Sequence, residues 1–329
     1  MELIDRYISY VRNVRRYSER TVMVYSTALA CYLDIVFKDE SPDESSLIES
    51  LNTNELRTFM VELLDVRKMS PRTVNLHLSA LGGFCRFLVK EGLLKSDPVR
   101  LLTRPKVDKR LPECFRKESL EDYFTRTADY AGEEALEMFL ADPLSKTGKD
   151  LYERRLARMV ISILYDTGLR RSELIGLKIE SVDFGRSKLK VVGKGNKMRE
   201  IPLLASLCGE LLLYLKAVEA LMGGIRSLKE PLLVTYTGHS LYPVFVDRTV
   251  KRELKGIKGM TGRRSPHVLR HSIATELMNE EADLNSIKEF LGHSSLSTTQ
   301  VYTHSSFARL KHIYERAHPR AKNGGKHGD

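Results

Sequence analysis

Residues 266–272 read Pro266-His267-Val268-Leu269-Arg270-His271-Ser272, and downstream stand Leu291-Gly292-His293 and then Tyr302. His267, His271, His293 and His304 place four of the nine histidines within 38 residues, a clustering that asks for a chemical reason. Ser265-Pro266 opens a helix in this reading, because a first turn tolerates proline, whose missing N–H has no partner there anyway. His267 and Arg270, three apart, then project from one face. The guanidinium keeps its proton and presents paired donors, which suits a phosphate, while an imidazole can give or take a proton beside it near neutral pH. Tyr302 offers a phenol oxygen whose attack on phosphorus would divide one hard displacement into two easier ones. Taken alone, the heptapeptide is equally well explained as a helix start with incidental polar residues.

Composition narrows the partner. At 329 residues the chain has room for two domains, each with its own core. Fifty-three Lys and Arg against 43 Asp and Glu leave a net charge of +10. That excess favours a polyanion, nucleic acid before membrane surface, although a basic soluble protein without such a partner has the same balance. Cys31, Cys85, Cys114 and Cys208 are widely separated and show no CxxC spacing, so neither a structural zinc site nor a disulfide framework is expected. No apolar run is read as reaching the roughly 18 residues of a membrane helix. Met1-Glu2-Leu3-Ile4-Asp5 lacks the pattern of a signal peptide, so the expectation is a cytoplasmic protein with no membrane contact.

The first hundred residues read as a helical bundle. Ile4, Tyr7, Ile8 and Val11 recur at helical spacing, and Ser18 caps a second helix whose inner face is Val22, Tyr25, Leu29 and Leu33. A third runs from Thr53 to Val66. A fourth starts at Ser70-Pro71, carries Val74, Leu78, Leu81, Phe84 and Phe87, and stops at Glu91-Gly92. From Asp97 to Pro112 prolines and charges replace periodicity, which marks a linker. The boundary is placed there, giving a helical domain 1–104 and a second domain 105–329. Arg100, Arg104, Lys106, Lys109 and Arg110 suit a phosphate backbone, and equally a solvated linker.

The second domain mixes helices with a little sheet. Residues 117–150 read as a helix and then a loop, acidic in the middle, polar at Ser145-Lys146-Thr147-Gly148. Leu156 to Tyr165 is an apolar helix broken by Gly168, after which Arg170 and Glu173 stand three apart. They form either a buried ion pair or a guanidinium held in place for a phosphate, and the two are compatible. Lys188–Val192 and Arg199–Leu203 are β-rich runs around the turn Gly193-Lys194-Gly195-Asn196-Lys197. A turn lysine is ordinarily solvated, but one poised over a phosphodiester is a proton donor. Helices at 203–222 and 246–255 and a short strand at 231–236 complete the body. A last helix is expected over 305–317, with Phe307, Leu310, Ile313 and Tyr314 on one face, and an unordered tail follows from 322.

Four separated pieces now stand in order: Thr167-Gly168-Leu169-Arg170-Arg171-Ser172-Glu173-Leu174, Val192-Gly193-Lys194-Gly195-Asn196-Lys197, His267-Val268-Leu269-Arg270-His271-Ser272, and Leu291-Gly292-His293 with Tyr302 nine residues on. Together they resemble the tyrosine recombinases, most closely the Xer type. The resemblance implies a mainly α fold: a helical core-binding domain, then a mostly helical catalytic domain with a small β-sheet. It implies that Tyr302 is the nucleophile, that Arg170 and Arg270 clamp the scissile phosphate, and that His267 and His293 hydrogen-bond or exchange protons there. Lys194 would protonate the leaving 5′ oxygen and Glu173 would support Arg170. The implied partner is a double-stranded DNA recombination site, bound by a tetramer of this chain or of this chain with a related recombinase. The terminal helix would dock on a neighbouring subunit.

No cofactor and no metal are expected, since no Asp/Glu cluster suggests Mg²⁺ and no Walker-type GxxxxGK[ST] motif is present. The acidic 125–150 stretch is longer than the resemblance leads one to expect. The alternatives are a type IB topoisomerase-like enzyme, a mobile-element integrase, or a DNA-binding regulator on the same fold that has lost catalysis. A start without an added arm-binding domain favours the Xer type over phage-like integrases.

Overall fold

The computed structural model describes residues 2–38, 40–107, 114–193, 198–257, 259–260, 262–279 and 284–292, together with Lys311, Tyr314 and Arg320. The expectations for Lys194, His293, Tyr302, most of the 305–317 helix and the tail concern residues outside this set. Two compact units divide the chain, Met1–Arg110 and Leu111–Asp329.

The first unit is all helical, and side-chain caps set its helix starts. Helix α1 (Glu2–Ser9) widens into a π turn at Tyr10–Val14, followed by α2 (Glu19–Phe37), α3 (Glu44–Ser50), α4 (Thr53–Val61) with a second π turn at Glu62–Val66, and α5 (Pro71–Lys90). Ser18, Asp43, Asn52 and Ser70 each accept a first-turn backbone N–H, and Pro71 sits in the first turn of α5. Helix α3 was not anticipated in the sequence reading. Asp43 caps this short helix, whose Leu47 is buried. Tyr7, Val22, Leu29, Phe59, Leu78 and Phe84 fill the core. Helix α2 is, by length and composition, apolar enough to cross a membrane, which the sequence reading had not counted. Its Val22, Ala28, Leu29 and Tyr32 are buried where it packs on α4 and α5.

The second unit is built around one helix. Its elements are α6 (Lys117–Arg126), α7 (Glu133–Ala141), α8 (Lys146–Thr167), α9 (Arg171–Ile175), strands β1 (Val182–Asp183), β2 (Lys188–Val192) and β3 (Met198–Pro202), then α10 (Ala205–Met222), α11 (Pro243–Glu253), α12 (Pro266–Asn279) and α13 (Leu284–Leu291). Every residue of α8 from Arg155 to Thr167 is buried, because α7, α10, α11 and α12 surround it. Two of those residues are arginines, and each has the partners a buried charge needs. Arg155 donates to the carbonyls of Ala131 and Gly132, and Arg158 donates to Phe124 O and to Glu210.

Two expectations need correction here. Residues 117–150 are not a helix and a loop, since they form α6, α7 and the start of α8. Ser145 Oγ accepts from Gly148 N, so the polar Ser145-Lys146-Thr147-Gly148 is a capped helix start. The acidic Glu133 and Glu134 sit in the first turn of α7, where the helix dipole favours them. Residues 231–236 form no strand but only the isolated pairings Lys178 with Pro231 and Val234 with Ser240 among the described residues. The sheet is antiparallel in the order β1-β2-β3, with Leu189 opposite Ile201 and Val191 opposite Arg199. Strand β1 was not anticipated, since two residues carry no period.

Candidate active site

Arg170 stands at the start of α9, on the turn made by Gly168. Gly168 closes α8 in the left-handed region at φ +60, and a Cβ there would lie 2.9 Å from Leu291 Cδ2 and 3.3 Å from Ile273 Cγ2. Only glycine lets the end of α8 meet α12 and α13 at that spacing. Its carbonyl accepts from Arg270 Nη1 at 2.6 Å. Arg270 lies one turn into α12, whose first hydrogen bonds run to Ser265 O. Its second amino group donates to Leu291 O at 2.5 Å.

Arg170 reaches the same helix end from the other side. Its Nη2 donates to Gly292 O at 3.1 Å, its Nη1 to Glu173 Oε1 at 2.9 Å, and its backbone N to Glu173 Oε2 at 2.8 Å. Residues 100 apart in sequence are thereby fixed on adjacent carbonyls at the C-terminus of α13, where the helix dipole is negative. Arg270 is buried, and burial followed by the neighbouring Arg170 pushes its guanidinium down to about 10, still charged at neutral pH. Arg170 keeps 35% of its side chain exposed, enough to meet a ligand.

His267 is exposed in the first turn of α12. Partial burial, then the charges of Arg171, Arg270, His271 and Arg263, hold its imidazole below the ordinary histidine range. At pH 7 it is therefore neutral, able to accept one proton or donate one hydrogen bond. The described part of the site is a cluster of fixed cations with one neutral imidazole at its edge. Such a cluster stabilises charge on a phosphorane-like transition state with no reorganisation at the moment of reaction. His293 and Tyr302 lie outside the described residues, as does Lys194, so their placement is not part of this geometry. The chain immediately before His293, Phe290-Leu291-Gly292, is what the arginines hold.

Residues 144–309 match the phage integrase family, and residues 4–92 match the phage integrase N-terminal SAM-like domain. The tyrosine recombinase XerC of Chlorobaculum parvum is 35% identical over 97% of this chain and 94% of its own length. The chain belongs to the phage integrase family of tyrosine recombinases. XerC of Azotobacter vinelandii is 33% identical over 97% of the recombinase and 96% of its own chain. Among solved structures, a XerH site-specific recombinase bound to a palindromic difH substrate aligns with TM-score 0.62 at 22% identity, covering 94% and 82% of the two chains. The Tn1549 transposon integrase in complex with transposon right-end DNA aligns with TM-score 0.64 at 16% identity, covering 94% and 98%. At those identities the likeness concerns the fold. The mainly α architecture with a small antiparallel sheet is the one expected, and the recombinase is a tyrosine site-specific enzyme. Relatives of this kind across nearly the whole chain do not favour a topoisomerase-like reading.

Sequence reading missed Arg199, which lies at the centre of this arrangement. Of the terminal helix, expected to dock on a neighbouring subunit, only Lys311 and Tyr314 are among the described residues. Tyr314 is buried with its ring 5.4 Å from Phe290, and its hydroxyl donates to Asp166 O at 2.5 Å. Arg320 donates to Asp166 Oδ2 and Glu210 Oε1, both at 2.6 Å. Arg320 thereby supplies the cation for two buried carboxylates, one on α8 and one on α10.

Proposed function

We propose that the recombinase resolves chromosome or plasmid dimers by cutting and rejoining duplex DNA at a recombination site. Residues 1–104 act as the core-binding domain and residues 105–329 as the catalytic domain. Tyr302 attacks the scissile phosphorus as its phenol proton passes to His267 or His293, the bond from phosphorus to the 5′ oxygen breaks, and a 3′-phosphotyrosyl link forms. Lys194 gives its proton to the departing 5′ oxygen, while Arg170 and Arg270 neutralise the non-bridging oxygens. His267 and His293 hydrogen-bond the phosphate or exchange its protons. A 5′ hydroxyl of the exchanged strand then attacks the phosphotyrosine and restores both tyrosine and DNA. Bond energy is conserved throughout, so no ATP is needed. The complex is a cytoplasmic tetramer on DNA, of this chain or of this chain with a related recombinase.

The observation that carries this reading is the pair of guanidiniums fixed on Leu291 O and Gly292 O, one residue before His293. A supercoiled plasmid with two direct copies of the chromosomal sequence that the recombinase protects tests it. Two circles, one copy on each, are expected. Relaxed plasmid without exchange would favour the topoisomerase reading. Protection with no covalent product would favour a regulator without catalysis.

A further inference from the structure

We infer that Arg199 is a positioning residue for the reaction, acting on the phosphate through Glu173 and Arg170; this rests on the function proposed above. Arg199 is on β3, opposite Val191 and on the inward face of the strand with Ile201. Its side chain is buried and donates in three directions: Nη1 to Glu173 Oε1 at 3.0 Å, Nη2 to Glu173 Oε2 at 2.8 Å, and Nε to Phe290 O at 3.2 Å. Glu173 thus accepts four hydrogen bonds, two from Arg199 and two from Arg170.

Charge and geometry both follow from this. Were Glu173 paired with Arg170 alone, its carboxylate would cancel much of the field that a phosphate feels from that guanidinium. Arg199 meets the same carboxylate bidentately from the buried side, so Glu173 holds Arg170 in place while the triad keeps a net positive charge. Burial acts to raise the Glu173 carboxyl, but Arg199 and then Arg170 overcome it and hold the group below its ordinary range.

Arg199 also completes a row at the end of α13. Phe290 O, Leu291 O and Gly292 O accept from Arg199, Arg270 and Arg170 in turn. The strand of the small sheet that follows the Lys194 turn is therefore tied to the helix end that precedes His293. Arg199 is the tie, and it holds Arg170 at the angle at which its exposed edge faces a ligand.

The test compares native chain, Arg199→Gln, Arg199→Lys and Arg170→Ala on two nicked duplexes of the protected chromosomal sequence. One has an ordinary scissile phosphate, and the other a methylphosphonate, which lacks one non-bridging charge. On the phosphate duplex Arg199→Gln is expected to slow strand cleavage by about 10²-fold, the scale of losing one preorganised donor. Arg199→Lys, which keeps the charge but not the fork, is expected to fall between Gln and native. On the methylphosphonate, where less charge awaits neutralisation, the ratio of native to Arg199→Gln is expected to shrink in parallel with that of Arg170→Ala. A merely structural Arg199 would give equal ratios on both duplexes, and that result, or an unimpaired Arg199→Gln, overturns the inference. If Arg199→Gln unfolds, Arg199→Lys is read in the same way. A native chain that cleaves neither duplex would overturn the proposed function and this inference with it. Native cleavage with equal ratios would overturn this inference alone.

Discussion

Arg270→Lys is expected to slow cleavage by about 10²–10³-fold, the range found when a preorganised transition-state donor is lost. Lysine retains the charge, so simple Coulomb attraction would predict little change. The arginine, however, bridges Gly168 O on one element and Leu291 O on another, and its planar fork still leaves N–H groups for a phosphate. One ammonium at the end of a flexible stem cannot hold both carbonyls and a ligand together. A buried carbonyl left without its donor costs about 1–3 kcal/mol, so thermal stability is expected to fall as well. Binding to duplex is expected to survive, because one phosphate contact is a small share of the electrostatic affinity of a protein for duplex DNA. Cleavage within tenfold of native would mean that Arg270 only braces the turn.

Arg320→Met should have the largest effect on folding, about 3–5 kcal/mol, because it removes a buried cation from two buried carboxylates. Asp166 is fully buried, and burial pushes its carboxyl up against the pull of Arg320. A carboxyl with a raised folded-state pKa favours the fold while it is protonated, and that contribution is lost as pH rises through the folded value. Removing Arg320 raises it further. Glu210, held down by Arg320 and Arg158 despite its burial, also loses part of its ion pairing above the ordinary carboxylate range. Both effects have one sign, so the gap between native and variant in urea unfolding is expected to widen from pH 4.5 toward pH 8. A gap of equal size at both ends would place the Arg320 contribution in packing over the Phe124 ring, 4.1 Å away, and not in charge.

These residues show what the sequence disclosed and what it concealed. Helix starts with a side-chain cap and a strong apolar period, at Ser18 and at Ser70-Pro71, were legible because the physics is local. Ser145-Lys146-Thr147-Gly148 misled because a glycine three residues after a serine looks like a turn. Here the glycine is needed for space, since a Cβ on Gly148 would lie 2.3 Å from Asp142 O. Arg170 and Arg270 were legible from motif spacing and are brought to one helix end, while His267 stands three residues before Arg270 on α12. Arg199 was not, because a charged residue in a short strand ordinarily faces water. Its parity with Ile201, on the apolar side of β3, was the available signal: an arginine at an inward position implies a buried carboxylate nearby. Arg320 gave no signal at all, and Tyr314 was legible only as part of an apolar helix face. Their partners Asp166 and Glu210 lie more than a hundred residues away, and only the fold brings them together.

The central claim is that a tyrosine carries the DNA strand during exchange, and mass spectrometry of the trapped complex tests it most directly. The native recombinase is incubated with a nicked duplex whose cleaved fragment diffuses away, digested with protease and nuclease, and its nucleotide-bearing peptide is sequenced. The expected adduct is a 3′-phosphonucleotide on Tyr302, absent from Tyr302→Phe, which should still bind the duplex. An adduct on any other residue, a 5′-linked nucleotide, or cleavage of equal rate by Tyr302→Phe would contradict the account.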